Sequence, residues 1–580
     1  MQHDISYQIE IGDVHAHTFS VTLTVPRPRA QQVVSLPTWI PGSYLLREFA
    51  RQLSRLTAQQ GGVDVRVDQL DKATWQLDCT DDAPLLLRYR VHAFDNSVRN
   101  AFLDAQRGFF NNTSLCLRVH GAEQQPHRLS LAGLPEGWQV ATAMPVADAG
   151  WVAANYDELV DHPFELGRFW QGEFTAAGVR HRIVVSGALP VFDGPRLLAD
   201  AARICTAQIA FWGGVVPFDR FERYTFFLNA VDDGYGGLEH RASTALIAAR
   251  RDLPRVGQPE ISDGYLRLLG LISHEYFHSW NVKRLKPVEF AALDYTRENY
   301  TELLWFFEGF TSYFDELMLL RAGLIDAPRY LKQLAITVSG VLATPGRQVQ
   351  SVAEASFDAW VKYYRPDENS PNSTISYYGK GALVALALDL RLRASGAHTL
   401  DDVMRGLWQR CAGGPVSEAD ILAVVTELGD ATIAQALSAW VHGTDDLPLP
   451  ALLEAAGVAW RADKPAVAQR LGLRVAESAL TGVHVKQVLA GSAAQAAGFC
   501  AADEVIGCND WRLRRLDDAP LSLAAGKSVL RFVVSRDQRL LELVLEWPPK
   551  DAVGQAPVLL NLADLVSQPV RDLRQAWLGA

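Results

Sequence analysis

The chain has no C-x-x-C pair, no dense run of Lys and Arg, no long apolar stretch and no internal repeat. Each absence excludes something. Six cysteines, at 79, 116, 205, 411, 500 and 508, are scattered over 580 residues, so free thiols in a reducing compartment are the plain reading. The formal net charge is -11 and the pI near 5.7, which argues against nucleic acid or an anionic membrane as partner. The most basic stretch, "NVKRLKP" at 281–287, is short. No apolar run approaches the roughly 18 residues a membrane span requires. The first residues, "MQHDISYQIE", lack the basic patch and apolar core of a signal peptide. A cytoplasmic protein is expected, and a removed leader would leave no trace.

What is present is an ordinary globular composition, 48% hydrophobic and 21% charged, in a chain long enough for several domains. The expected fold is multidomain α+β. Residues 1–170 read as an N-terminal β-sandwich: "HTFSVTLTV" (17–25), "DVRVDQL" (64–70) and "PLLLRYRVHAF" (84–94) alternate in part and carry β-branched and aromatic residues. Residues 171–460 mix strands, such as "RYTFFLNAV" (223–231), with long helices expected over 194–214, 264–282, 302–323 and 378–396. Prolines and polar turns at 445–470 suit a boundary, followed by a strand-and-turn unit at 468–548 and a tail at 549–580 that ends in an amphipathic stretch.

The chemistry starts at "SHEYFHSW" (273–280). On a helix of 3.6 residues per turn, His274 and His278 share a face, and two imidazoles there can meet one ion. Glu275 lies about 100° round, within reach of a water on that ion. This is why H-E-x-x-H serves zinc hydrolases. A catalytic zinc takes a third protein ligand, here sought on the helix at 302–323. Glu302 reads as a solvated acid at the polar helix start. Glu308 sits in "WFFEGF", where a buried carboxylate needs a cation, and is the expected third ligand.

"HEYFHSWNVKRLKP", "ENYTELLWFFEGFTSYF", "GGLEH" and "WIPGSYLLREFAR" together resemble the M61 family of zinc aminopeptidases, the glycyl aminopeptidase family. That family is similar in its catalytic core to the thermolysin-like glutamate zincins. The resemblance spans nearly the whole chain and implies a thermolysin-like catalytic domain, one zinc ion per chain and peptide substrates with a free N-terminus, the first residue being small (Gly or Ala). It implies a substrate-binding edge strand at Gly236, Gly237 and Glu239, with Glu239 holding the α-amine. The two glycines let a substrate backbone approach closely. His240 stands where the wider clan has asparagine, and its role stays open between substrate contact and structure. Tyr378, three residues before Gly381, resembles the oxyanion donor of the clan; Tyr377 is its neighbour. Glu275 is then the general base, and with Tyr378 makes up the catalytic pair.

"RLGLRV" (470–475) and "GSAAQAAGFCAADEVIGCNDWRL" (491–513) resemble a PDZ domain, which implies a groove for a peptide C-terminus. Two other activities fit the same motifs. One is a zinc endopeptidase; the other is a PDZ adaptor with an inactive hydrolase core. The segments 36–53 and 94–104, "FDNSVRNAFLD", stand out without indicating any chemistry.

Overall fold

The structure is a computed structural model that describes residues 4–40, 42–218, 221, 223–396, 398–548 and 556–579. It divides into two compact units, residues 1–299 with 413–415, and residues 300–412 with 416–580. It is a mixed α+β protein whose N-terminal part is β-rich and whose later part is largely helical.

In the first unit, alternation along the chain dictates the strands. Thr18–Val25 buries every second residue, as does most of Leu85–His92, so each gives one face to a core and one to solvent. They lie side by side in an eight-stranded sheet, where Ile5–Asp13 pairs Thr18–Val25 antiparallel and His127–Ala132 parallel. Two four-stranded sheets complete the β-rich region among the described residues. The stretch expected as one strand at 64–70 is two short ones, Val63–Val65 and Val67–Gln69, because the chain changes sheets between them.

A five-stranded sheet follows, in the order Trp170–Ala176, Val179–Ser186, Tyr224–Val231, Ser243–Ala249, Tyr235–Glu239. Its three inner strands run parallel and its two edges antiparallel. Every residue of Tyr224–Val231 is buried, as expected of a strand covered on both faces. The helices Gly194–Phe211 and Asp263–Phe277 pack on this sheet and on each other; Gln208 Nε2 donates to Ser273 O at 2.8 Å and to its Oγ at 2.9 Å. Ser262 caps the second helix by accepting from Tyr265 N at 3.1 Å. That helix is shorter than expected. It ends at Phe277 with His278 as its cap, because the chain then turns and Lys283 N reaches back to His278 O.

In the second unit, the helix expected at 302–323 is interrupted. Leu304–Phe307 and Gly309–Arg321 meet at Glu308, which still bonds Leu304 O and Ser312 N, both at 2.8 Å. Gly379–Ser395 matches its expectation and stops at Gly396, whose φ of 85° is the usual left-handed helix end. These two helices cross at glycines. A Cβ on Gly309 would meet Gly381 Cα at 2.6 Å, so only the pair of glycines permits this backbone contact.

The strand-and-turn unit carries a six-stranded sheet with Leu473–Ser478 at one edge. On either side of it in sequence, Val458–Ala462 and Val558–Leu562 pair antiparallel. The last helix, Gln568–Leu578, buries Trp577, whose Nε1 donates to Tyr313 OH at 3.1 Å. Tyr313 in turn donates to Asp389, which also accepts from Arg393. Among the described residues, no helix is long and apolar enough to cross a membrane.

Candidate active site

In the first unit the H-E-x-x-H helix lies against the edge strand Tyr235–Glu239. His274 and His278 stand one turn apart with ring centroids separated by 4.6 Å and planes nearly perpendicular. His274 is half-buried and His278 buried. The Nδ1 of His278 lies 2.8 Å from Asn281 O. A carbonyl only accepts, so Nδ1 carries the hydrogen and Nε2 keeps the lone pair. That is the tautomer a metal ligand needs, fixed by a backbone group in the manner of an outer coordination shell.

The carboxylates of Glu239 and Glu275 and a ring nitrogen of His278 all lie within 4.8 Å of one another. Glu239 and Glu275 are 4% and 5% exposed, so two acids share a nearly dry site. Such a site favours cations strongly. The Oε1 of Glu239 has no hydrogen-bond partner among the described residues. A buried acceptor without a donor is costly, and a cationic guest would satisfy it. Thr244 Oγ1 stands 3.1 Å from Leu238 O and 3.4 Å from Glu275 Oε2, two acceptors between which its one hydrogen is shared.

The spacing between strand and helix depends on missing side chains. A Cβ on Gly237 would lie 2.1 Å from Glu275 Oε1, and a Cβ on Gly42 would lie 2.3 Å from Glu239 Oε1. Gly42 belongs to the segment 36–53, so that segment is a wall of the Glu239 site. It is held there by Thr38 N donating to Tyr295 O at 2.8 Å and by Trp39 and Tyr44 packed on Phe290. No signal in the sequence located Gly42 beside Glu239. A cavity of about 400 Å3 opens beside Glu239 and His240, walled also by Ile40, Tyr44 and Phe290.

Behind Glu239 the charges are paired. Asp161 is buried and meets Lys283 at 3.1 Å and His240 Nδ1 at 3.4 Å. Burial alone would raise its pKa, but Lys283, His240 and Arg241 hold the carboxyl well below the usual range. His240 thus pairs with Asp161 through Nδ1, while its buried Nε2 has no partner among the described residues. Lys283 also donates to Glu239 O at 3.3 Å. Burial, with Lys283 and Arg241 near, pushes Lys286 down to about 8.

In the second unit Glu308 is 2% exposed among Trp305, Phe306, Phe307 and Phe310. Glu302, by contrast, is exposed, in keeping with a solvated acid. The Gly309–Gly381 crossing brings Glu308 to the end of the helix that Tyr378 opens. Burial, followed by the Glu308 charge, keeps the Tyr378 phenol well above its ordinary pKa, hence protonated. Tyr377 is fully buried and stacks on Tyr378 at 4.8 Å, whereas Tyr378 is half-buried. Of the two, Tyr378 is the one with a face to offer a ligand.

The sequence matches the Peptidase M61 N-terminal domain over residues 6–168 and the M61 glycyl aminopeptidase domain over residues 267–384. An aminopeptidase N family protein from Idiomarina loihiensis is similar over 99% of this chain and 100% of its own, at 38% identity and a TM-score of 0.91. An M1 zinc metallopeptidase from Deinococcus radiodurans is similar over 77% of this chain and 95% of its own, at 18% identity and a TM-score of 0.47. No curated protein matches the sequence.

Proposed function

Because this chain, with its two M61 domains and its full-length likeness to the Idiomarina protein, belongs to the M61 peptidase family, we propose that it is a zinc-dependent aminopeptidase. It removes the first residue of peptides, small residues such as Gly and Ala being preferred. The observation that carries the reading is the buried convergence of Glu239, Glu275 and His278, with Oε1 of Glu239 left without a donor.

The donor set suits the metal. His274 and His278, with Glu308 as third ligand, would hold one zinc ion; imidazole and carboxylate donors are its usual company. When bound, the ion supplies Lewis acidity and makes water a nucleophile near neutral pH. The remaining work belongs to side chains. Glu239 accepts from the α-ammonium of the substrate, and a fixed anion at that point limits cleavage to the first peptide bond. The strand at Gly236 and Gly237 runs beside the peptide, the missing side chains leaving it room. Glu275 takes a proton from the attacking water and returns it to the departing amine. Tyr378, kept protonated by its surroundings, donates to the carbonyl oxygen as charge gathers there.

Residues 468–548 fit a PDZ domain placed after catalytic residues 171–460 and before the tail 549–580. Its edge strand Leu473–Ser478 follows Gly472, which has a φ of 76°, and strand addition there would take a peptide C-terminus.

The test is release of p-nitroaniline from the Gly and Ala anilides, abolished by a chelator and restored by zinc. The N-acetylated anilides should be refused, and Glu275→Gln should be inactive while keeping its metal. Equal turnover of acetylated peptides would make the protein an endopeptidase; no chelator-sensitive turnover would end the reading.

A further inference from the structure

The segment 94–104 is unexplained by sequence and unused by the chemistry above. Its loop is built to be rigid. Ser97 N donates to Asp95 Oδ1 and Asn100 Nδ2 to Asp95 Oδ2, both at 3.0 Å, while Asn111 Nδ2 donates to Val98 O at 2.7 Å. It is also fastened outward. Asn229, in the central strand of the five-stranded sheet, donates to Asn96 Oδ1 at 2.8 Å, and Arg107 donates to the same oxygen at 3.0 Å. Arg107 itself is clamped by both oxygens of buried Glu165, at 2.7 and 2.8 Å.

This frame presents Arg99, whose Nη2 donates to Gly237 O at 3.2 Å. Gly237 lies in the edge strand, which among the described residues has no strand on its outer side. In an antiparallel ladder, alternate residues turn their backbone groups outward. Gly237 and Glu239 do so, and their carbonyls accept from Arg99 and Lys283 respectively. Two cations thus do for this edge what a neighbouring strand would do. Arg99 Nε is buried with no partner among the described residues, a donor the fold leaves unused.

We infer that Arg99 is a substrate-positioning residue: it fixes the height of the edge strand at Gly237, and so sets Glu239 and Glu275 against the peptide. This rests on the aminopeptidase reading. The space beside Gly237, where a Cβ would stand, is filled by the Glu275 carboxylate, and Gly237 precedes Glu239 by two residues, so a shift of the strand there moves the amine anchor and the base together. A charged hydrogen bond is the strong kind, and no other described group holds that carbonyl.

The experiment measures kcat and KM on the Ala anilide for Arg99→Ala and Arg99→Lys, with thermal midpoint and zinc content, with and without ethylguanidinium. It also measures calorimetric binding of Ala-Ala-Ala to Glu275→Gln with and without Arg99→Ala. Arg99→Ala should lose about 10- to 100-fold in kcat/KM, chiefly through KM, with zinc content and midpoint kept and partial rescue by ethylguanidinium. Arg99→Lys should fall between, since it keeps the charge but not the fork. Unchanged kcat/KM in both variants, or a loss that tracks the midpoint and is not rescued, overturns the inference. If the parent enzyme does not turn over, the aminopeptidase reading fails. The tripeptide binding then decides on Arg99: at least tenfold weakening supports it, while equal affinity or no binding overturns it.

Discussion

The carboxyl of Glu275 occupies the space in which a side chain at Gly237 would begin. Helix and strand therefore approach to a distance that no other residue type allows. Replacing Gly237 by Ala should cost at least about 100-fold in kcat/KM, because misplacing a base by about 1 Å has that effect. The thermal midpoint should move little. Steady-state kinetics beside a melt would check both, and a near-normal rate would show that the base adapts.

Gly42 makes the same demand of Glu239, and adds a φ of 82° that an L side chain rarely adopts. Gly42→Ala should raise KM for free-amine substrates by tenfold or more, with a stability loss of about 1 kcal/mol from backbone strain. A chevron or melt gives the second number and an anilide titration the first.

Tyr378→Phe removes one donor without a change of shape. The expected loss is on the order of 10²–10³ in kcat with KM nearly kept, the size seen for a single oxyanion donor. Since burial and Glu308 raise the Tyr378 pKa, its ionisation should impose no alkaline limb on the rate below pH 10. A limb near 9 that vanishes in the variant would contradict this.

Acid should weaken the first unit before it touches the carboxylates. Burial pushes His127 and His181 down to about 4 from 6.5. His181 Nδ1 donates to Val179 O, and its Nε2 accepts from Tyr276 OH at 2.9 Å, on the H-E-x-x-H helix. The unfolded chain takes up protons at about 6.5 and the folded one only near 4. Stability from each is thus full above 6.5 and is lost as pH falls toward 4, by about 3 kcal/mol per residue. Denaturant melts between pH 7.5 and 4.5 should show that slope, and His181→Phe should reduce it.

Much of this was legible beforehand where the cause is local. The alternation in Thr18–Val25 and the glycine stop at 396 are properties of neighbours in sequence, and the strand and helix follow from them. The spacing of His274 and His278 is of the same kind. What was not legible depends on distant residues. The break at Glu308 belongs to a crossing with Gly381. Gly42 and Arg99 meet partners more than 130 residues away, and neither residue type announces such a contact. The partner of His240 Nδ1, Asp161, is likewise remote in sequence.

Removal of the last helix should be damaging, although it lies in the segment 549–580 that reads as a tail. Trp577→Ala would leave a cavity and break the bond to Tyr313, at a cost of about 3–5 kcal/mol. Thermal melts of that variant and of a chain ending at Ser567 should show comparable losses.

The pairing of Ala462 with Val558 means that the strand-and-turn unit leaves the helical unit and re-enters it at a single point. It is a cassette rather than an appendage. A tight two-residue turn from one strand to the other would close a hairpin and release the cassette whole, and a foreign module could be spliced in its place without disturbing the register of this pair.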